Sequence, residues 1–184
     1  LADGRYTGNT GPGLTLLNAG FNVVNSGVFI SNTGPGVLID GTSTGNAISG
    51  TLIGGNAVGI QQSGGGANFW SRMAVYSNTG LGIDLGTLGA VDAPSITFAA
   101  YNPLTGEISG TLTYGGAPVE ATVEIFAAFP DASGYGEGQQ PIGIVGYVAS
   151  NGGWALTALS GYPCITAVVS LPTGSSEFSQ VYCR

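Results

Sequence analysis

The chain of 184 residues has no histidine and no lysine, and its only bases are Arg5, Arg72 and Arg184. Lack of imidazole removes histidine-based catalysis and His-ligated metal sites. Lack of a basic cluster leaves nothing to neutralise a row of phosphates, so nucleic acid is not expected as a partner. Charged residues make up only 7% of the chain, and ten acids set a net charge of −7; about 25% charged is usual for soluble proteins. No apolar run reaches the ~18 residues that span a bilayer, so no membrane span is expected. Leu1 in place of Met, with no basic segment behind it, reads as a trimmed N-terminus whose export signal is already gone. What is abundant is glycine, 34 residues of 184. A mean hydropathy of +0.31 with so little charge leaves a surface poorly protected against association.

The glycines belong to a repeat. Asn9-Thr10-Gly11-Pro12-Gly13-Leu14 returns as Asn32-Thr33-Gly34-Pro35-Gly36-Val37 and as Asn78-Thr79-Gly80-Leu81-Gly82-Ile83. A degenerate copy, Gly55-Asn56-Ala57-Val58-Gly59-Ile60, fills the gap. Gly13, Gly36, Gly59 and Gly82 are spaced by 23 residues, each followed by an apolar residue. Further columns in the same register read Ile30, Ile53, Tyr76 and Phe29, Leu52, Val75. No stretch shows the 3.6-residue period of an amphipathic helix, which excludes helical repeats. A short right-handed parallel β-helix of about four coils fits, with equivalent residues stacked along the axis. The glycine column then marks a turn of positive φ or a close approach between coils. Asn9, Asn32 and Asn78 are placed to stack as an amide ladder. The inward phase of the second strand, 29 or 30 and 52 or 53, stays open.

After the fourth copy the period is lost, and Asp92-Ala93-Pro94 reads as a linker between residues 1–92 and 93–184. Alternating strands follow near Ser95–Tyr101, Glu107–Thr113, Ala121–Ala128, Ile142–Ala149, Gly153–Ala158, Ile165–Leu171 and Glu177–Cys183. Turn signals stand at Thr105-Gly106, Gly115-Gly116, Asn151-Gly152 and Pro172-Thr173-Gly174. Seven short strands in this length match an immunoglobulin-like β-sandwich. The fold class expected is therefore all-β.

Several segments together carry a resemblance. Leu81-Gly82-Ile83-Asp84-Leu85-Gly86 resembles the last coil of secreted bacterial right-handed parallel β-helix surface proteins. Ile108-Ser109-Gly110-Thr111-Leu112, Val123-Glu124-Ile125-Phe126-Ala127, Ser133-Gly134-Tyr135-Gly136-Glu137-Gly138-Gln139 and Ser176-Glu177-Phe178-Ser179 are similar to the immunoglobulin-like module that follows those coils. The resemblance implies an extracellular or cell-surface protein. Its motifs specify architecture and leave the function open.

The two cysteines flank the last two expected strands. Opposed residues of a hairpin keep a constant sum of residue numbers, so pairing Leu171 with Ser176 also pairs Cys164 with Cys183. A disulfide is expected there, and with it an oxidising compartment.

The acids do not assemble a catalytic site. A polysaccharide hydrolase needs carboxylates converging within roughly 5–9.5 Å. The coils offer Asp3, Asp40, Asp84 and Asp92, with Asp40 and Asp84 in different columns and Arg72 without an acid in its own. Asp131 and Glu137 bracket a glycine-rich loop that reads as a hairpin turn rather than a calcium site. Glu107, Glu120, Glu124 and Glu177 look scattered, as solubilising charges. Thr10, Thr33 and Thr79 read as stacked turn residues, without the second threonine column of an ice-binding face. Trp70 and Trp154 are each of a type to stack on a sugar, but Trp70 suits a core or interface position equally well, and Trp154, which begins a strand, suits the sandwich core. No enzyme activity, metal or cofactor is expected.

Low charge, glycine-rich coils, the expected disulfide and the missing catalytic constellation favour an extracellular structural subunit that self-assembles head-to-tail into a filament, sheath or surface layer. The alternatives are a carbohydrate-binding, adhesive module for surface glycans, and a reduced polysaccharide lyase or hydrolase. The expected contact lies at the open first coil, around Tyr6, Leu14 and Leu16.

Overall fold

The computed structural model describes residues 1–86, 95–113, 121–129, 135–148 and 152–184, and its regular structure there is entirely β. The linker Asp92-Ala93-Pro94, the Gly115-Gly116 turn, Glu120, Asp131 and Asn151 lie outside the described residues.

The first half is a parallel β-solenoid built from three ladders. One ladder stacks β1 (Arg5–Thr7), β4 (Val28–Ile30), β7 (Leu52–Gly54) and β10 (Ala74–Tyr76). A second stacks β2 (Leu14–Leu17), β5 (Val37–Asp40), β8 (Ile60–Gln62) and β11 (Ile83–Asp84). The third stacks β3 (Val23–Asn25), β6 (Ala47–Ser49) and β9 (Phe69–Ser71), and Ala2 extends it through a parallel bridge to Asn25. Leu14, Val37, Ile60 and Ile83 pair in succession, so the 23-residue step holds in the second ladder. Those four positions enclose about three turns, not the four coils expected, because four equivalent points bound only three intervals.

Elsewhere the strict period slips. Phe29 pairs with Ile53 and Ile53 with Val75, steps of 24 and 22 residues. The inner column is therefore Tyr6, Phe29, Ile53, Val75, and the columns expected from an unbroken 23-residue register are corrected. The cause is local. The third copy has one residue more before Asn56 and one fewer between Asn56 and Gly59.

Sharp corners join the strands. Gly8, Ser31, Gly55 and Ser77 occupy one corner with φ of 69°, 57°, 63° and 54°, the left-handed region. The glycine column does a different job. A Cβ on Gly36 would lie 2.9 Å from the Gly59 carbonyl oxygen, and one on Gly13 would lie 2.7 Å from that of Gly36. Close approach of neighbouring turns, not positive φ, is what requires glycine there.

Inside the solenoid, Val24, Phe29, Val37, Ile39, Ile48, Ile53, Ile60, Met73, Val75 and Ile83 are buried in one apolar column. Strand alternation supplies this core, since one face of each short strand turns inward.

Antiparallel strands begin at Ser95. A three-stranded sheet orders β12 (Ser95–Tyr101), β13 (Glu107–Thr113) and β16 (Gly152–Thr157). A five-stranded sheet joins β14 (Ala121–Phe129), β15 (Glu137–Val148), β17 (Cys164–Leu171), β18 (Gly174–Ser175) and β19 (Tyr182–Cys183). Phe98, Ile108, Leu112 and Trp154 from the first share a second core with Val123, Ile125, Ile165, Ala167 and Val169 from the second. Trp154 meets Phe98 edge-on, with ring centroids 5.8 Å apart.

The expected strand Glu177–Cys183 is corrected: only Tyr182–Cys183 pairs there. Leu171 lies opposite Gly174 rather than Ser176, yet Cys164 does lie opposite Cys183 and is bridged to it. The segment between the paired stretches carries two residues more than a regular hairpin, because Glu177 and Phe178 leave the ladder to meet the solenoid.

Candidate functional site: the two ends of the solenoid

A stack of parallel strands ends in unpaired backbone groups and an open core, so each end needs a partner. The polar spine of the solenoid makes its two ends chemically different.

The spine is an asparagine ladder. Each asparagine follows a left-handed corner residue, and its side chain turns in under the next turn. Asn9 donates its backbone N–H (3.1 Å) and Nδ2–H (2.8 Å) to Asn32 Oδ1. Asn32 does the same to Asn56 Oδ1 at 3.0 and 2.9 Å, and Asn56 to Asn78 Oδ1 at 2.9 and 3.1 Å. The second amide hydrogens of Asn32 and Asn56 go to the carbonyls of Tyr6 and Phe29. A parallel ladder runs Asn22, Asn46, Asn68. Asn56 belongs to the first ladder, in place of the Gly55 that a strict 23-residue register selects. The second ladder went unread because its steps are 24 and 22 residues.

Every asparagine-to-asparagine bond of the ladder is donated toward the last turn. At that end Asn78 finds Glu137, whose Oε1 accepts its N–H at 3.1 Å and its Nδ2–H at 2.7 Å. Glu124 accepts the Arg72 N–H with both oxygens, at 2.9 and 3.0 Å. Glu177 accepts the Leu85 N–H at 2.8 Å. Ser175 Oγ accepts the Trp70 N–H at 3.1 Å, and Trp70 Nε1 donates to the Ser176 carbonyl at 2.9 Å. Phe126 and Val168 of the five-stranded sheet, with Phe178 from the segment between β18 and β19, join the solenoid core that holds Trp70, Met73 and Ile83. The sheet therefore plugs the last turn, with three carboxylates in the places of missing acceptors. Glu124 and Glu177 are thus corrected from solubilising surface charges to structural acceptors, and Glu124 and Glu137 are buried.

Burial raises the Glu124 carboxyl above the ordinary glutamate range, against the lowering effects of the Arg72 N–H bond and the Arg72 charge. The folded protein thus binds this proton more tightly than the unfolded chain. The stability linked to the group is present below the ordinary value near pH 4.3 and is lost as pH rises through the raised one. Glu124→Gln keeps an oxygen for the Arg72 N–H and removes that loss. The variant is expected to gain urea resistance over the unmodified protein at pH 7 and to show no gain near pH 3.5, which unfolding midpoints at the two values will check.

Among the described residues, no strand covers the first turn. Tyr6, Leu14 and Leu16, expected at the contact, form the inner layer of the first turn; Tyr6 stacks on Phe29 at 5.2 Å and Leu16 is buried. The exposed apolar side chains nearby are Leu1, Leu17, Phe21 and Val23, the last three at 59%, 83% and 58% exposure. The hydrogen bonds to the second turn fix which backbone groups face outward. Val28 N–H donates to the Gly4 carbonyl and Gly8 N–H to that of Ile30, so alternation turns the amides of Arg5 and Thr7 away from the fold. Leu14 N–H donates to the Gly36 carbonyl and Asn18 N–H to that of Asp40, which turns Thr15 and Leu17 outward likewise.

No family model matches the chain, and no curated protein matches it. What the chain can do is therefore read from its own geometry.

The acids of the solenoid do not converge. Asp40 lies opposite Leu17 and binds its neighbour Gly41 N–H, whereas Asp84 lies opposite Gln61 and binds Gly86 N–H. A cavity of about 320 Å³ between the last turn and the plug has Glu177 as the carboxylate in its lining, and that group is engaged with Leu85. Among the described residues no three of His, Cys, Asp and Glu gather as a metal site. Trp70 is an interface residue under the plug rather than a sugar platform. The gap in the threonine column is Ala57, since Thr33 and Thr79 stand one residue after Asn32 and Asn78. No helix among the described residues is long and apolar enough to cross a membrane.

Proposed function

We propose that this protein is an extracellular structural subunit that assembles head-to-tail, with the plugging sheets as an immunoglobulin-like module of a bacterial surface protein. The difference between the two solenoid ends carries this reading. One end is sealed by buried carboxylates and aromatic rings, and the other presents outward amides, the Asn9 amide oxygen and exposed apolar residues. A second copy seated there makes a heterologous contact, and such a contact repeats into a filament instead of closing into a dimer. The Cys164–Cys183 bridge suits an oxidising compartment outside the cytoplasm. The small proportion of charge suits a surface meant to associate.

Proline at an outward-facing amide tests the contact without touching the fold. Thr15 donates nothing to the second turn, so Thr15→Pro costs no internal hydrogen bond and blocks an incoming strand. The unmodified protein is expected to sediment as polymers and to show filaments on negatively stained grids. Thr15→Pro is expected to remain a monomer with an unchanged circular dichroism spectrum. A chain that stays monomeric at high concentration without substitution refutes this reading and leaves adhesion to surface glycans as the better one.

A further inference from the structure

We propose that the plug is displaceable, and that the first turn of a second copy competes with it for the last turn of the solenoid. This rests on the head-to-tail reading above and names the surface that receives the incoming end.

Glu137 imitates an asparagine. Inside the ladder, one Oδ1 accepts both the backbone N–H and the Nδ2–H of the preceding asparagine, at 2.9 and 3.1 Å for the Asn56–Asn78 step. Glu137 Oε1 accepts the same two donors of Asn78 at 3.1 and 2.7 Å. It occupies the position that the amide oxygen of one more turn would take.

That oxygen exists at the other end of the molecule. Asn9 spends its N–H and Nδ2–H on Asn32, and its Oδ1 is the terminal acceptor of the ladder. One end of the solenoid needs an acceptor for two N–H groups, and the other offers such an acceptor. Two N–H donor ends cannot satisfy each other, nor can two amide-oxygen ends, so the ladder chemistry favours the head-to-tail pairing.

The register agrees. Asn78 precedes Gly82 by four residues, and Asn9 precedes Gly13 by four. With Asn78 donating to Asn9 of the next copy, the glycine column continues from Gly82 to the incoming Gly13. Phe178 holds that place now, its ring 3.0 Å from where a Gly82 Cβ would stand. The three ladders also continue: β9 meets the Ala2 segment, β10 meets β1 and β11 meets β2.

The two occupants differ in how they bind. Among the described residues no strand of the antiparallel sheets joins the ladders of β9, β10 or β11, although the Ser175 N–H reaches the Asn68 carbonyl beside β9 at 2.9 Å. The plug holds on through Glu124, Glu137, Glu177, the Ser175–Ser176 bonds and three apolar side chains. An incoming turn pairs backbone with backbone along all three ladders. It also spares the buried carboxylates their desolvation, because an amide oxygen carries no charge.

The test compares filament growth, by light scattering and negative stain, in four forms: the unmodified chain, Glu137→Ala, Glu177→Ala, and Glu137→Ala combined with Asn9→Ala. Glu137 and Glu177 belong to the plug alone, so removing either weakens the plug and leaves both solenoid ends intact. Each single variant is expected to lower the critical concentration about tenfold, the value of a charged hydrogen bond. Asn9→Ala is expected to cancel the gain, and Trp70 fluorescence to change on growth as its bond to Ser176 is lost. Filaments from the unmodified chain with no gain in either single variant overturn the proposal and leave head-to-tail assembly over a closed plug. A gain that survives Asn9→Ala also overturns it, since disordered aggregation does not need that oxygen. No filaments in any form overturns the head-to-tail reading itself.

Discussion

Replacing Asn56 with leucine is expected to unfold the solenoid. The Asn56 side chain is buried and sits in the middle of the spine. Its oxygen accepts the N–H and Nδ2–H of Asn32, and its amide hydrogens reach the Phe29 carbonyl and Asn78 Oδ1. Leucine is close in volume but satisfies none of these groups. Each buried polar group left without a partner costs about 1–3 kcal/mol. Two donors of Asn32 and the Phe29 carbonyl together put the loss at about 4 kcal/mol or more, comparable with the lower part of the ~5–15 kcal/mol that holds an ordinary domain together. Far-ultraviolet circular dichroism through a urea titration will read this as a lost or strongly lowered first transition. Asn9→Leu, at the exposed end of the same ladder, is expected to cost no more than about 1 kcal/mol. Equal effects at the two positions would show that the ladder is not the spine.

The second large effect is expected at Gly59. A Cβ there would lie 2.2 Å from the Gly82 carbonyl oxygen and 3.0 Å from Val75 Cγ1. The obstacle is backbone of the next turn, which cannot move without opening three ladders at once. Gly59→Ala is expected to cost about 3 kcal/mol or more, at the upper end for overpacked sites. Gly11, in an equivalent copy of the motif, has nothing within 4 Å of its added Cβ and no positive φ. Gly11→Ala is expected to change stability by less than about 0.5 kcal/mol. Urea midpoints of the two variants, measured side by side, separate a stacking requirement from a general preference of the repeat for glycine.

Why the sequence discloses one of these sites and hides the other follows from how the repeat is spaced. The glycines are legible because their ladder keeps a fixed step and only one residue type fits. Asn56 was placed one position off because the third turn lengthens before it and shortens after it, which a rigid register cannot represent. The strands from Ser95 onward were legible from alternation, and the hairpin arithmetic found Cys164 opposite Cys183. It did so through a wrong pairing at the turn, since Leu171 opposes Gly174 and the looped segment makes up the difference.

The plug was missed for a physical reason. Thr122-Val123-Glu124-Ile125-Phe126 alternates as a strand with one wet face, and Thr122 and Glu124 support that reading. Phe126 shares the face of Glu124 and is fully buried. An aromatic ring on the supposedly wet face was the available signal that this sheet has two dry sides. Tyr6, Leu14 and Leu16 are the inner layer of the first turn, with Tyr6 and Leu14 only partly buried.

Glu177 lies 92 residues after the Leu85 amide that it accepts, and Glu137 lies 59 after Asn78. During synthesis the chain emerges from its N-terminus, so the repeat is made well before the residues that seal it. At the ~5–20 residues per second of a ribosome, the last turn waits seconds for its carboxylates. Through that interval the last turn of the nascent solenoid lacks its plug. Under the head-to-tail reading, neighbouring nascent chains can stack on it out of order, and collapse of the repeat delayed until the distal half has been made would prevent this. A transport route that keeps the chain extended until all of it is available would provide that delay.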